Sequence, residues 1–481
     1  MPSPSSSLAL SSIVKAYDVR GIVPDQLDED VAGALGAAFA HVVGVASGAD
    51  RGRVVVGHDM RASSPGLARA FAEGVTSQGG DVVLIGLCST DGLYYASGAL
   101  DAPGAMFTAS HNPARYNGIK LCRAGARPVG QETGLDEVRS LAEQVLDVGP
   151  QALPPAERPG VIIERDVMAD YAAFLRGTVD RSGSRRLKVV VDAGNGMAGL
   201  TVPAVLGDAA GLPALDLEIV PLYFELDGTF PNHEANPLAP ENLRDLQAAV
   251  PRNGADLGLA FDGDADRCFV VDERGEPVSP SAVTALVAAR EIAREKSVGR
   301  DAVVIHNVIS SRAVAEVIES CGGRPVRTRV GHSFIKARMA AEQAVFGGEH
   351  SAHYYFRDFW FADSGLLAAL HVLAALGQQD GPLSALARQY ERYIASGEVN
   401  STVVDAPGRL AAVREAFAGD GTVVDELDGL TITHDRPDGG VDWWLNVRPS
   451  NTEPLLRLNV EGADRDTMER IRDQALAVIR A

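Results

Sequence analysis

The sequence predicts an α/β protein: three successive α/β units followed by a smaller α+β unit. Three observations carry that expectation. Strand–helix–strand patterns recur up to about residue 388. Short apolar strands ending in Phe107, Phe261 and Phe346 each empty into a polar loop. From about residue 389 the pattern changes to successive strands and one terminal helix. At roughly 150 residues per domain, 481 residues suit three or four domains. The expected boundaries are 1–160, 161–275, 276–388 and 389–481.

In the first unit, Arg20 stands beside Gly21, where a guanidinium can reach backbone or an anion; a structural salt bridge is the other reading. Arg53–Gly57 reads as a strand. Leu67, Phe71 and Val75 recur at intervals of four and mark a helix face. Gly79-Gly80 closes that helix, and Val82–Ile85 is the next strand, giving a parallel βαβ unit. Gly104–Phe107 is a short buried strand leading into Thr108-Ala109-Ser110-His111-Asn112-Pro113. Proline pushes Asn112 out of the helical region, so Ser110 sits on a loop of defined geometry at the mouth of a strand. A turn serine bonded to its own backbone is the competing reading.

Proline-rich residues 150–160 mark a boundary. In the second unit, Lys188–Asp192 is a strand followed by the turn Ala193-Gly194-Asn195-Gly196. That turn fits neither the dinucleotide nor the P-loop pattern and reads as a packing turn. The strand Leu257–Phe261 runs into Asp262-Gly263-Asp264-Ala265-Asp266-Arg267. Three carboxylates at alternate positions repel one another unless a cation compensates. Magnesium, a hard ion taking oxygen ligands, suits them. The EF-hand pattern fails, because loop position six is Arg267 rather than glycine.

In the third unit, Val303–Ile305 is a strand, Ala313–Ile318 a helix, and Ala344–Phe346 leads into Gly347-Gly348-Glu349-His350-Ser351-Ala352-His353. Glu349 and Ser351 can bond sugar hydroxyls. The design has then appeared three times, and open α/β sheets bind ligands outside the carboxyl ends of their strands. Three such units facing one cleft would supply nucleophile, metal and sugar contacts. In the last unit, Leu430–Thr433, Trp443–Val447 and Leu455–Val460 read as strands. Asp464 caps a helix with Met468, Ile471, Ala475 and Val478 on one face. Arg448-Pro449-Ser450-Asn451-Thr452 puts an arginine, two hydroxyls and an amide on one turn, a phosphate cradle or a plain hairpin.

Composition narrows the partners. Lys plus Arg is 44 and Asp plus Glu is 64, a net charge of −20. Nucleic acid, bound through phosphate neutralisation, is a poor match, and so is a membrane surface. No apolar span reaches transmembrane length. Cys88, Cys122, Cys268 and Cys321 lie far apart, with no CxxC pair. Met1–Ser12 lacks the basic and apolar regions of a signal peptide, so the cytoplasm is the expected location.

The Ser110 loop, followed by Tyr116-Asn117-Gly118-Ile119-Lys120, resembles the phosphoserine loop of the α-D-phosphohexomutases, which interconvert sugar 1-phosphates and 6-phosphates. Other stretches resemble the family in the same order. These are Tyr17-Asp18-Val19-Arg20-Gly21, Asp59-Met60-Arg61, the Asp262–Arg267 loop, Gly348-Glu349-His350-Ser351 and Arg448–Thr452. Asp227–His233 resembles the subgroup with phosphomannomutase activity. Thr90-Asp91 departs from the family's Thr-Pro, His58 replaces an arginine, and Ile309 aligns with a common lysine, so that contact is either missing or supplied by another residue such as His332 or Lys336.

The resemblance implies four domains with mixed sheets around a central cleft. It implies Ser110, His111, Lys120, Arg20 and His353 as catalytic residues, the proton being moved by Lys120, His111 or His353. It implies Mg2+ on Asp262, Asp264, Asp266 and a Ser110 phosphate oxygen. Substrate contacts would come from Tyr17, Arg267, His332, Glu349, Ser351, Arg448, Ser450, Asn451 and Thr452. The expected activity is phosphomannomutase/phosphoglucomutase through a hexose 1,6-bisphosphate, with a small phosphosugar as sole partner and a monomeric or dimeric state. Alternatives are a phosphoglucosamine mutase, a magnesium-dependent sugar-phosphate sensor, and a serine hydrolase using Ser110 and His111. The last lacks a nucleophile elbow, and adjacent residues rarely point at each other.

Overall fold

A computed structural model describes residues 10–46, 52–436, 440–450 and 455–481. Its contacts divide the chain into two compact units, residues 1–277 with 355–383, and residues 278–354 with 384–481.

The first unit opens with strand β1 (Val19–Ile22), helix α1 (Glu29–Val42), β2 (Arg53–His58), α2 (Ser64–Ser77), β3 (Asp81–Leu87), α3 (Thr90–Ala99), β4 (Gly104–Phe107), β5 (Tyr116–Arg123), β6 (Arg127–Pro128), α4 (Leu135–Val148) and β7 (Ile162–Glu164). The sheet order is β1-β5-β4-β2-β3-β7, with β6 beside β5. β1, β2, β3, β4 and β7 all run one way, whereas β5 is antiparallel to its neighbours β1 and β4, so the sheet is mixed as expected. Leu67, Phe71 and Val75 of α2 are buried beneath it. Their spacing of four keeps them on one face. β4 is buried at all four positions, because strands cover it on both edges and helices on both faces.

The chain continues through α5 (Met168–Thr178), β8 (Leu187–Asp192), α6 (Ala198–Val205), β9 (Leu217–Leu222), α7 (Arg244–Asn253), β10 (Leu257–Phe261), β11 (Cys268–Asp272) and the two-residue β12 (Pro277–Val278). The order is β12-β11-β10-β8-β9. β10 is parallel to β8 and antiparallel to β11, so the Asp262–Arg267 segment is the tight connection of a buried hairpin.

The second unit then begins with α8 (Pro280–Ser297), β13 (Val303–Asn307), α9 (Arg312–Ser320), β14 (Arg324–Thr328), α10 (His332–Glu342) and β15 (Phe346–Gly348). β13 is parallel to both β14 and β15. β15 starts at Phe346, where the sequence reading ended it, because Gly347 and Gly348 pair with Ile305 and His306. The chain re-enters the first unit with the hairpin β16 (Tyr354–Phe356) and β17 (Ala362–Asp363), then α11 (Gly365–Gly377), a helix buried almost all round.

The second unit resumes with α12 (Leu383–Ala387), β18 (Ile394–Thr402), α13 (Ala406–Phe417), β19 (Thr422–Asp425), β20 (Leu430–Asp435), β21 (Val441–Pro449), β22 (Leu455–Gly462) and α14 (Arg465–Arg480). Here the sheet is wholly antiparallel, ordered β18-β22-β21-β20-β19. Asp464 caps α14 by accepting from the Thr467 amide at 2.8 Å. Met468, Ile471 and Ala475 are buried, but the fourth buried position is Ile479 rather than Val478. The i+4 step from Ala475 lands on 479 and carries the stripe back to the sheet.

Candidate active site

Within the first unit, β4 and β10 deliver their loops to one place. Ser110 lies three residues past β4, 5% exposed, with its backbone at φ 49°. Its amide donates to Thr108 Oγ1 at 2.9 Å, and its Oγ donates to Asp262 Oδ2 at 2.8 Å. Gly263 has to be glycine: a Cβ there would run into the Ser110 carbonyl oxygen. The second-domain turn behaves as a packing turn, the Met197 amide donating to the Gly263 carbonyl at 2.9 Å.

His111 corrects one expectation. Its Nδ1 lies 3.1 Å from Ser110 Oγ, so these adjacent side chains do meet. The left-handed backbone of Ser110 turns them together. The same Nδ1 accepts from Arg267 Nη2 at 2.7 Å, a donor that keeps its proton. Burial, then the Arg267 and Arg20 charges, push His111 down to about 3. It is therefore a neutral acceptor at neutral pH, and a Ser–His base pair for hydrolysis is not what this geometry builds.

Asp262, Asp264 and Asp266 are all buried, with ligand atoms within 4.8 Å of one another. Lys120 Nζ donates to Asp264 Oδ2 at 2.6 Å and Asp266 Oδ2 at 2.7 Å. Arg267 Nε donates to Asp262 Oδ2 at 2.9 Å. Burial lifts Asp262 above its ordinary value, against Arg267. Burial works the same way on Asp264, but Lys120 outweighs it and holds that carboxyl low. Burial opposes the Lys120 charge, yet Asp264 and Asp266 carry it well above the usual ammonium value. Asp264 Oδ1 is buried with no hydrogen-bond partner, an orphan that a cation would satisfy. Hard carboxylate oxygens at this spacing fit magnesium.

Arg20 on β1 reaches the same loop. It donates to the Ala109 carbonyl at 3.3 Å, to the Asn112 side chain, and to Asp18 Oδ2 at 2.6 Å. Tyr17 sits just before β1, partly exposed.

Arg61 is a residue whose role the sequence reading missed. It is 2% exposed and donates to the carbonyls of Ser110 (2.9 Å), Asn112 (2.7 Å), Pro113 (3.0 Å) and Tyr116 (3.0 Å). Asp59 holds its Nε at 3.2 Å, and the Phe230 ring lies 5.2 Å beneath it. One guanidinium thus fixes the backbone of the serine loop.

In the second unit, residues 349–353 form a tight turn. The Glu349 amide donates to the His353 carbonyl at 3.0 Å, and the Ala352 amide to the Glu349 carbonyl at 3.1 Å. Glu349 is buried, its Oε2 accepting from Asn307 Nδ2 at 3.3 Å. Ser351 and His353 are half-buried. Burial and the charges of Arg448 and Arg457 push His350 down to about 3, so this turn lies near the end of β21. Arg448 pairs with Glu398 at 3.0 Å. Arg457, its partner across β21–β22, reaches the same carboxylate at 3.2 Å and lies 3.5 Å from Ser450 Oγ. Arg457 was not foreseen; only the hairpin register puts it opposite Arg448. Ile309 and Lys336 are buried. Asn451 and Thr452 lie outside the described residues, as does the His332 side chain.

Comparison with known proteins covers the chain. Four models of phosphoglucomutase/phosphomannomutase domains match in order: α/β/α domain I at residues 11–146, domain II at 169–275, domain III at 280–393, and the C-terminal domain at 398–478. A Xanthomonas campestris protein described as phosphohexose mutases is 40% identical over 449 residues, 93% of this chain and 94% of its own. An Escherichia coli phosphomannomutase is 38% identical over 451 residues, with the same shares. The crystal structure of a Burkholderia thailandensis phosphoglucomutase/phosphomannomutase family protein superposes with a TM-score of 0.82 at 32% identity, covering 98% of each chain.

Proposed function

The chain belongs to the phosphoglucomutase/phosphomannomutase family and is a mutase, and from that premise we propose that it interconverts mannose 6-phosphate and mannose 1-phosphate, and the corresponding glucose phosphates, through a phosphorylated Ser110. The observation that carries this reading is Ser110 Oγ, a hydroxyl 2.8 Å from the first carboxylate of a buried triad. Asp262, Asp264 and Asp266 would hold magnesium, which supplies charge neutralisation for phosphoryl transfer. Arg20 and Arg267 add positive charge around the serine despite the net −20. With His111 Nδ1 committed to Arg267, we assign the proton to Lys120, whose ammonium gives a proton to the departing Ser110 oxygen and is restored by the one the attacking sugar hydroxyl loses. Glu349 and Ser351 serve the sugar hydroxyls, with His353 close behind them in sequence, His332 at the start of α10 and Tyr17 on the first unit. Arg448, Ser450, Asn451 and Thr452 grip the phosphate that is not reacting. The sugar leaves the first transfer as a 1,6-bisphosphate, turns, and returns one phosphate to Ser110. Residues 1–160, 161–275, 276–388 and 389–481 are the proposed extents of the four domains. Four unbridged cysteines suit the cytoplasm, and no helix among the described residues is long and apolar enough to cross a membrane.

A coupled assay across mannose, glucose and glucosamine 1-phosphates tests the substrate. We expect kcat/KM to be higher for mannose and glucose phosphates, in line with the phosphomannomutases this chain resembles. A higher value on glucosamine 1-phosphate moves the assignment to a phosphoglucosamine mutase, and no turnover at all leaves a sugar-phosphate sensor.

Arg448→Ala tests the anchor. A charge-assisted hydrogen bond is worth roughly 1.5–3 kcal/mol, so its loss should lower kcat/KM about 10- to 100-fold. The bisphosphate, having lost a grip during its turn, should also escape more often. Labelled enzyme phosphate, chased with unlabelled mannose 1-phosphate, should appear in free mannose 1,6-bisphosphate. Unchanged leakage with kcat/KM within about twofold of wild type makes Arg448 a hairpin residue only.

A further inference from the structure

One buried carboxylate has no place in the chemistry above. Asp91, in the first turn of α3, is fully buried. Its partners are three hydroxyls from three parts of the chain. Ser89 donates to Oδ1, while Tyr171 of α5 (2.9 Å) and Ser364 (2.6 Å) donate to Oδ2. A carboxylate buried without a cation is costly, and three donors are what make it tolerable. Burial pushes the group up to about 6, against the pull of Ser364, Ser89 and Tyr171.

Two of those donors are helix caps. Ser89 caps α3 by accepting from the Gly92 amide at 3.2 Å, and Ser364 caps α11 by accepting from the Leu367 amide at 3.1 Å. Both helix starts press on the carboxylate loop. Thr90 donates from its amide to the Asp264 carbonyl at 3.0 Å and from Oγ1 to Asp264 Oδ2 at 2.5 Å. Gly365 packs so closely that a Cβ there would stand 2.8 Å from the Arg267 carbonyl and 3.0 Å from that of Ala265. One carboxylate therefore ties together the two caps between which the loop is held.

We propose that Asp91 is a positioning residue of the magnesium loop, fixing the starts of α3 and α11 and through them the oxygens of Asp264 and the backbone of Ala265–Arg267. The proposal rests on the reading of Asp262, Asp264 and Asp266 as magnesium ligands. Asparagine at position 91 would keep the shape but put an amide donor where one carboxylate oxygen accepts, so at least one of the three hydroxyls loses its acceptor. Groups that orient metal ligands typically change affinity about 10- to 100-fold when removed.

Magnesium titrations of the full chain by calorimetry, with thermal midpoints measured in EDTA, test it without any turnover. Asp91→Asn should raise the magnesium Kd about tenfold. Thr90→Val should do the same, and the double variant should fall short of the product of the two effects, because Asp91 acts in part through Thr90 and in part through α11. Ser364→Ala removes one donor to Asp91 together with the α11 cap, keeps the Ser89 cap of α3, and should raise Kd about threefold or more. A Kd within about twofold of wild type for both Asp91→Asn and Ser364→Ala, whatever their midpoints in EDTA, overturns the proposal and leaves Asp91 a packing group. If Asp91→Asn does not fold, Ser364→Ala decides by the same criterion. Asp264→Asn is the control: magnesium binding as tight as wild type in that variant removes the metal reading itself, and the proposal with it.

Discussion

Ser110→Ala is expected to abolish mutase turnover, a fall of at least about 10³-fold, while the protein folds as before. The Ser110 hydroxyl bonds Asp262 and lies beside His111, and it packs against nothing that needs its oxygen. Asp262 Oδ2 keeps Arg267 Nε at 2.9 Å when the hydroxyl goes, so no buried charge is stranded. The left-handed backbone is held from outside, by the four carbonyl contacts of Arg61, and alanine inherits the same strain that serine already bears. The cost to stability should stay within about 1–2 kcal/mol. Intact-mass analysis adds an independent reading: wild type should carry a covalent phosphoryl group that the variant lacks. Wild-type-like turnover by the alanine variant would sink the nucleophile assignment, and a phosphate retained on it would put the modification elsewhere.

The serine loop and the carboxylate loop were legible as candidates because their signals are local. An apolar strand, a small residue and a proline break place Ser110 at a strand mouth, and alternating carboxylates follow an apolar strand on one tight turn. The βαβ patterns and the terminal α+β unit were legible for the same reason, since hydrophobic period reads each element by itself. Residues acting across the chain were not legible. Arg61 holds carbonyls about fifty residues away, and nothing within its own helix start says so. Asp91 was visible only as a departure in a Thr-Asp pair; its hydroxyls come from positions 171 and 364. Arg457 needs the β21–β22 register before it faces Arg448. Smaller slips, Phe346 opening a strand and Ile479 replacing Val478, come from tertiary contacts choosing the ends of elements.

Asp264→Asn should uncouple the protein from magnesium and lower turnover by roughly 10²–10³-fold, the worth of several kcal/mol of charge stabilisation. The three aspartates carry three negative charges, and the two cations bonded to them, Lys120 and Arg267, carry two positive ones. The remaining charge is concentrated where Asp264 Oδ1 lacks a partner. Asparagine at 264 leaves Thr90 and the shape of the loop in place, but removes that charge. Without metal the variant loses the Lys120–Asp264 charge pair but keeps Lys120 on Asp266 at 2.7 Å, so its midpoint in EDTA should fall only modestly. With metal the gap should widen. Magnesium at 100 times its Kd adds about 2.7 kcal/mol to a protein that binds it only when folded. Wild type should show a rise in thermal midpoint on adding magnesium after EDTA dialysis, and Asp264→Asn should show almost none. The pair of melting curves separates a metal role from a folding role, which a loss of activity alone does not. Full activity of dialysed wild type in EDTA, with no shift of its midpoint by magnesium, would mean that Lys120 and Arg267 are the cations these carboxylates were built to hold.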